Sequence, residues 1–172
     1  MHESPGEVLL PTPCVVMLIG ASGSGKTSFA HRHFGRYEVL SSDQCRAMIS
    51  DDEADQSVTA EAFDLLRSIL RMRLAAGRIS VVDATNVQPH ARARTLEVAR
   101  AFDVPTVAIV LATGPEVCIA RNAGRGERPV PEASVRRQFE DLTASLPMLA
   151  SEGYADVQVL EENLELVTFR RL

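Results

Sequence analysis

The chain has 172 residues, of which 45% are hydrophobic and 24% are charged, proportions that are ordinary for a globular protein. Its net charge of −5 argues against a protein that coats nucleic acid over a broad surface. No apolar run is long enough to cross a bilayer, and the first residues lack the basic start of a secretory signal. We therefore expect a single cytoplasmic domain with no membrane contact.

Strands and helices are predicted to alternate along the chain. Apolar, β-branched segments predict strands at 14–19, 38–40, 79–82, 106–111 and 157–160. Helical periodicity and capping residues predict helices at 26–34, 42–49, 59–76, 89–102, 115–122 and 132–144. Residues 1–13 are expected to be a loose lead, 50–57 a solvated loop, and 161–172 stay unassigned. This alternation indicates an α/β fold in which helices cover both faces of a parallel sheet.

The segment 20–27, GASGSGKT, matches the phosphate-binding pattern GxxxxGK[ST]. It lies between a predicted buried strand and a helix, where glycines let backbone N–H groups turn toward a phosphate. Lys26 is expected to reach the β- and γ-phosphates of ATP, and the Thr27 hydroxyl to bind Mg²⁺. The predicted nucleotide-binding residues of this segment are Gly20, Ala21, Ser22, Gly23, Ser24, Gly25, Lys26, Thr27 and Ser28.

Lys26 is also the single lysine among 18 basic residues, the others all being arginine. A compact ammonium on a flexible stem suits a phosphate-binding loop, whereas a planar guanidinium fits there poorly. The cysteines carry no comparable signal. Cys14, Cys45 and Cys118 are odd in number and far apart, so we expect reduced thiols and neither a zinc site nor a disulfide framework.

Two acidic residues follow predicted strands. Asp83 ends the strand at 79–82, where a carboxylate can hold Mg²⁺ through water or cap a helix. Thr85 and Asn86, directly after it, either orient phosphate or substrate or serve the turn. Asp43 follows the strand at 38–40. Since the carboxyl ends of parallel strands meet at one edge, both acids are expected to share a site with segment 20–27.

Arg46 comes three residues after Asp43, which places both on one face of a short helix. The carboxylate can take the proton of an attacking hydroxyl, and the guanidinium can hold a phosphate of the acceptor. The alternative interpretation is a capping aspartate beside a surface arginine.

Arginines are also concentrated in two longer segments. Arg121, Arg125 and Arg128 lie on and around the Gly- and Pro-rich stretch 123–131, which is typical of a mobile lid that closes arginines over a γ-phosphate. Without the phosphate-binding pattern, this stretch would be an ordinary solvated loop. Between residues 67 and 100, seven arginines stand against two acids. These are either part of a nucleic-acid path or solvated helix faces.

The motifs GASGSGKTSFA, SSDQCR, SDDEADQS, VVDATN and VCIARNAGRGERPV resemble, at matching spacings, the kinase domain of bacterial polynucleotide 5′-kinase/3′-phosphatase. This domain belongs to the P-loop polynucleotide kinase family of RNA repair, and the similarity runs from about residue 15 to the end of the chain. The resemblance implies that the γ-phosphate of ATP, with Mg²⁺, is transferred to the 5′-OH end of RNA or DNA.

The resemblance also implies roles for individual residues. Asp43 would be the general base, Arg46 would bind the phosphate next to the acceptor 5′-OH, Asp83 would lie in the second acidic motif, and Arg121 would be the lid arginine. Relatives continue into phosphatase and ligase-like domains, whereas this chain stops at Leu172. We therefore expect no phosphatase activity, and either an excised domain or a stand-alone relative. Thr27 replaces a common serine without changing the chemistry.

Two other hypotheses stay open. A small-molecule P-loop kinase would phosphorylate a sugar or a nucleoside, and Arg46 together with the arginine-rich segment counts against it. A non-catalytic nucleotide-dependent binding module would bind ATP without transfer, and Asp43 beside the loop counts against it.

The solitary lysine generates the first prediction. Lys26→Ala should remove nearly all phosphate transfer, and Lys26→Arg should lower turnover by about 10²-fold or more, because the position requires geometry as well as charge. Both variants should keep the wild-type circular dichroism spectrum. Turnover is measured with radiolabelled ATP, and near-normal turnover of Lys26→Arg would contradict the interpretation of the solitary lysine.

Overall fold

Strands and helices alternate along the residues that the computed structural model describes, 7–126, 129–161, 164 and 167–172. The strands, numbered in chain order, are β1 (Glu7–Leu10), β2 (Val15–Ile19), β3 (Val39–Ser41), β4 (Ser80–Asp83), β5 (Thr106–Leu111), β6 (Asp156–Leu160) and β7 (Thr168–Arg171). The α-helices are α1 (Lys26–His33), α2 (Ser42–Ser50), α3 (Thr59–Ala75), α4 (Pro89–Ala101), α5 (Pro115–Ala123) and α6 (Glu132–Ser145). Short 3₁₀ helices span Gln56–Val58 and Leu146–Ser151.

Five of these strands form one parallel sheet in the order β3-β4-β2-β5-β6. Every residue of β2, β4 and β5 is buried. Strands that are covered on both faces have continuous apolar sequences, which explains the Val-Val-Met-Leu-Ile sequence of β2. The predicted α/β fold, a parallel P-loop sheet covered by helices on both faces, is therefore confirmed.

Alternate side chains of β2 pack against helices on opposite faces of the sheet. Leu18 lies in a buried cluster with Phe29 of α1. Met17 lies in another cluster with Leu96 of α4 and Leu142 of α6. A third cluster joins the sheet to the apolar face of α3. This alternation follows from the two-residue period of a strand, and it fixes α1 and α6 on either side of the loop that leaves β2.

The amino-terminal prediction was wrong where the structure describes it. Glu7–Leu10 form β1, which pairs in parallel with β7 and buries Val8 and Leu10 while Glu7 and Leu9 stay exposed. Two inward residues are too short a pattern to predict a strand, and the pairing partner comes from the other end of the chain. The segment 161–172, left unassigned, supplies that partner. Pro5 and the rest of residues 1–6 lie outside the described residues.

Other predicted boundaries differ from the structure by a residue or two. Ser41 caps α2 and accepts a hydrogen bond of 3.3 Å from the backbone N–H of Gln44. The loop predicted at 50–57 ends in the 3₁₀ helix Gln56–Val58. All three cysteines are buried and form no disulfide with one another. None of the helices in the described part of the chain combines the length and apolarity needed to cross a membrane.

Arg92 of α4 was counted with the arginine-rich segment, yet its side chain is fully buried. Its guanidinium forms two hydrogen bonds of 2.8 and 2.5 Å with the carboxylate of Glu152 and donates one of 2.9 Å to the carbonyl oxygen of Asn86. The neighbouring hydroxyl of Ser145 donates to the carbonyl oxygen of Val87. Arg92 thus holds the loop after β4 to the carboxyl-terminal part of the chain, and it is not available to a ligand.

The buried pair generates a stability prediction. Glu152→Gln should lower the free energy of unfolding by about 3 kcal/mol, because it leaves the guanidinium of Arg92 buried without its counter-charge. Glu132→Gln is the matched control, since Glu132 pairs with Arg136 on the surface of α6. Exposed ion pairs contribute little, so this variant should keep a free energy of unfolding close to the wild-type value. Urea unfolding followed by circular dichroism measures both values. Equal losses in the two variants would contradict a structural role for Arg92.

Candidate active site

The loop of residues 20–27 leaves the carboxyl end of β2 and enters α1 at Lys26. Gly23 and Gly25 have φ angles of 83° and 97°, a left-handed conformation that glycine adopts without strain. A β-carbon on Gly23 would collide with the carbonyl oxygen of Cys118 on α5. The loop therefore needs glycine at this position both for its backbone conformation and for its contact with α5.

The ammonium group of Lys26 is buried against this loop. It donates hydrogen bonds of 2.8 Å to the carbonyl oxygen of Gly20 and 2.9 Å to that of Ala21. Burial lowers the pKa of Lys26 to about 8, while the nearby carboxylate of Asp83 acts in the opposite direction. A desolvated cation of this kind gains strongly from phosphate oxygens brought beside it.

Thr27, in the first turn of α1, is bonded to Asp83 at the end of β4. The Thr27 hydroxyl donates a hydrogen bond of 2.8 Å to the Asp83 carboxylate. Burial raises the pKa of Asp83, and the hydrogen bond from Thr27 and the charge of Lys26 oppose that rise. The contact arises because β2 and β4 are adjacent and parallel, with Leu18 opposite Asp83.

These two oxygen-bearing side chains fit the Mg²⁺ that accompanies a nucleotide. Among the described residues, no three His, Cys, Asp or Glu side chains are grouped so as to hold a metal ion. Mg²⁺ does not require such a cage, because it usually takes one or two protein oxygens together with substrate phosphates and water. A hydroxyl and a carboxylate in hydrogen-bond contact meet that requirement.

Asp43 and Arg46 lie on one face of α2, beside the same edge of the sheet. The guanidinium of Arg46 donates a hydrogen bond of 2.5 Å to the carboxylate of Asp43 and one of 3.3 Å to the hydroxyl of Thr59. Arg46 is 8% exposed as a residue, whereas the Asp43 side chain is 55% exposed. A buried cation thus orients an accessible carboxylate, and an accessible carboxylate can accept a proton from a bound hydroxyl.

These groups line one cleft of about 1830 Å³. The predicted site residues along its wall are Ser22, Lys26, Thr27, Ser28, Asp43, Arg46, Asp83, Asn86 and Arg125. The structure therefore brings the loop after β2 together with the ends of β3 and β4, as the strand order requires.

Asn86 holds the backbone in place at this edge. Its buried side-chain amide donates a hydrogen bond of 2.8 Å to the carbonyl oxygen of Leu18. The φ angle of Asn86 is 50°. The neighbouring carbonyl oxygen of Thr85 accepts 2.9 Å from the N–H of Gly20. Both residues tie the loop after β4 to β2, and Asn86 still lines the cleft.

The predicted lid arginines occupy different positions. Arg121 on α5 donates a hydrogen bond of 3.4 Å to the carbonyl oxygen of Ser24 in the loop. Arg125 lines the cleft, and its charge contributes to the lowered pKa of Lys26. Arg128 lies outside the described residues. Arg121 is therefore in contact with the phosphate-binding loop, and the charge of Arg125 acts on Lys26 at the end of that loop.

Asn122 was not among the predicted site residues, and it bonds Val130 at the far side of the segment that was predicted to be a lid. Its side-chain amide donates to the carbonyl oxygen of Val130 and accepts 3.1 Å from the N–H of Val130. The two ends of the intervening segment are thereby held together. The signal available in the sequence was an asparagine directly before a Gly-rich stretch.

Phe63 of α3 lines the cleft. Leu66, Leu70 and Leu74 of the same helix are buried. Phe63 follows the Arg46-bound Thr59 by four residues, which places both on one side of the helix. Of the arginine-rich segment, Arg67 and Arg94 also line the cleft, whereas Arg73 and Arg92 bond to the protein itself.

The parallel sheet and its phosphate-binding loop define a kinase-like P-loop protein. A family model described as an AAA domain matches residues 15–149. The chain belongs to this AAA domain family. A search of the curated proteins found no match.

Several solved structures share the fold. A chain of the Pnkp1/Rnl/Hen1 RNA repair complex matches with a TM-score of 0.70 and 19% identity over 80% of this chain and 46% of its own length. A putative kinase from Chloroflexus aurantiacus J-10-fl matches with a TM-score of 0.63 and 15% identity over 90% of this chain and 91% of its own. The Mycobacterium tuberculosis APS kinase CysC, solved with AMPPNP and APS, matches with a TM-score of 0.54 and 18% identity over 90% of this chain and 92% of its own length.

At such identities the similarity shows the fold alone. The chain spans less than half of the RNA repair protein that it matches, and the other two structures are similar along nearly their whole length. A kinase-like P-loop fold supports a phosphotransferase and implies nucleotide binding.

The fit between the loop and α5 generates the third prediction. Gly23→Ala should lower ATP affinity by about tenfold or more, because a left-handed alanine costs about 1–3 kcal/mol and its β-carbon displaces the loop from Cys118. Gly77→Ala is the control, since Gly77 has a φ of 67° with nothing near the added carbon. The Gly77→Ala variant should carry the same backbone strain and keep the wild-type affinity for ATP. Calorimetric titration with ATP measures both, and equal affinities in the two variants would contradict the prediction.

Proposed function

We propose that this protein is an ATP-dependent polynucleotide 5′-hydroxyl kinase that acts in nucleic-acid repair. The observation that carries the proposal is the Asp43–Arg46 pair, which lines the same cleft as Lys26, Thr27 and Asp83. A nucleotide-binding loop and a candidate base beside it are the two halves that phosphoryl transfer to a hydroxyl requires.

In the proposed reaction, the acceptor hydroxyl oxygen attacks the γ-phosphorus of ATP and its proton passes to Asp43. The bond between the γ-phosphorus and the β–γ bridging oxygen breaks, and ADP leaves. Since Arg46 contacts Oδ1 of Asp43, Oδ2 can accept the proton. The role of the protein is mainly to position the reactants and to offset the charge of the phosphates.

Lys26 and Arg121 are proposed to neutralise the phosphates, because one is buried in the loop and the other contacts the loop backbone. Arg125 and Arg128 are proposed to close with the lid. Thr27 and Asp83 would hold the Mg²⁺, which shields the charge of the phosphate oxygens when bound.

The acceptor is proposed to be the 5′-OH end of RNA or DNA. A guanidinium has five N–H donors, and Arg46 uses its Nε on Thr59 and one terminal nitrogen on Asp43. Its remaining donors can bind the phosphate that follows the 5′ nucleoside. Phe63 lies one turn along α3 from Thr59 and offers an aromatic surface on which a base can stack. The proposal includes the association with phosphatase and ligase-like domains that the resemblance implies.

A small-molecule kinase is the second candidate. The cleft wall carries the acids Asp51, Asp52 and Glu53 as well as arginines, so it is not a uniformly basic channel. A gluconokinase from Sinorhizobium meliloti 1021 shares the fold over 90% of this chain, with a TM-score of 0.54. Arg46, held next to the base, favours a phosphorylated acceptor over a neutral sugar.

The fourth prediction tests the base and the acceptor together. Asp43→Asn should leave ATP affinity unchanged and lower turnover by about 10²-fold or more. Arg46→Ala should remove the preference for adenosine 3′-phosphate over adenosine. Asp64→Asn is the matched control, because Asp64 forms the same three-residue pair with Arg67 in the same cleft and should keep turnover within about twofold of wild type.

The measurement is transfer of labelled phosphate from ATP to 5′-OH oligonucleotides, adenosine 3′-phosphate, adenosine and gluconate. Equal turnover on adenosine and adenosine 3′-phosphate by the wild-type protein would overturn the polynucleotide proposal in favour of a nucleoside kinase. Transfer to gluconate alone would favour a sugar kinase. Loss of ATP affinity in Asp43→Asn would make Asp43 a nucleotide ligand and not the base.

A further inference from the structure

We propose that Gln138 of α6 recognises the γ-phosphate of the bound nucleotide, so that α6 distinguishes ATP from ADP. The inference rests on nucleotide binding by the loop, but it does not depend on the identity of the acceptor. Gln138 belongs to neither the phosphate-binding pattern nor the acidic motifs.

The contact that points to this role joins the loop to α6. The backbone N–H of Ser22 donates a hydrogen bond of 2.8 Å to Oε1 of Gln138. Backbone N–H groups of such loops are the donors that phosphate oxygens accept from. The amide oxygen of Gln138 therefore accepts from a backbone N–H of the kind that donates to phosphate oxygens when a nucleotide is bound.

The position of Gln138 over the loop is set by apolar packing. Val135, one turn earlier on α6, is buried in a cluster with Ala21 of the loop and Cys118 of α5, and Val130 packs against the same cluster. The start of α6 and the end of the lid are thus fixed against the loop. Gln138 lines the cleft from this fixed position.

The side-chain amide suits an exchange of partners. Its oxygen accepts and its nitrogen donates, so one rotation of the group replaces the acceptor with a donor. When a phosphate oxygen takes the N–H of Ser22, the Nε2 of Gln138 can donate to the same phosphate. A carboxylate at this position would keep the contact with Ser22 but would repel the phosphate.

The outermost phosphate is the one that this contact fits. The loop residues from Gly23 to Thr27 lie at the amino end of α1, which holds the inner phosphates in loops of this kind. Ser22 precedes them and lies on the side of the loop that faces α6. Its N–H is therefore left for the γ-phosphate, which ADP lacks.

The test compares affinities for ADP and for AMPPNP, with Mg²⁺, by isothermal titration calorimetry on the full chain. Gln138→Leu should weaken AMPPNP binding by about tenfold, the usual scale of a hydrogen bond to a charged group, and leave ADP binding unchanged or tighter. Gln138→Glu should weaken AMPPNP binding at least as much. Gln88→Leu is the matched control, because the amide of Gln88 donates to Asp141 of α6 and not to a residue of the loop, and this variant should keep the wild-type ratio of AMPPNP to ADP affinity.

Each outcome bears on the proposal. Wild-type affinities for both nucleotides in Gln138→Leu would overturn it, and so would an equal loss for both, which would indicate a purely structural contact. A changed AMPPNP-to-ADP ratio in Gln88→Leu would also overturn it. The expected ratios, combined with no phosphorylated acceptor, would support the role of Gln138 while refuting the proposed kinase activity.

Discussion

The ammonium group of Lys26 is held out of water between two carbonyl oxygens of its own loop. Burial of a cation is costly, and the cost is tolerated because the loop oxygens and the nearby Asp83 stabilise the charge. The loop can supply those oxygens only where β2 ends and α1 begins. One side chain, Lys26, therefore constrains three features. These are the end of β2, the start of α1 and the position of Asp83.

The order of the strands places the residues of the cleft next to one another. Because β4 lies between β2 and β3, Asp83 reaches Thr27, and α2 presents Asp43 beside them. Helix α3 then supplies Thr59, which holds Arg46. Each contact joins residues that are distant in sequence, so the site exists only when the parallel register of the sheet is correct.

The arginines show how one residue type serves several purposes. Arg92 is buried and paired with Glu152, and Arg73 bonds the backbone before β4. Arg46 and Arg67 border the cleft, each beside an aspartate. In sequence these arginines look alike, and a count of charges treats them as one basic stretch. Burial and partners divide them into structural groups and groups available to a ligand.

The sequence by itself determined the sheet, the loop and the acids that meet at its edge. This was possible because local patterns encode them: apolar runs for β2 and β5, glycines for the loop, and an Asp at the end of β4. Only the tertiary structure decided the rest. The pairing of β1 with β7, the place of Phe63 in the cleft, and the contacts of Arg92 and Gln138 all join distant segments. No local pattern specifies such contacts, since they depend on which faces pack together.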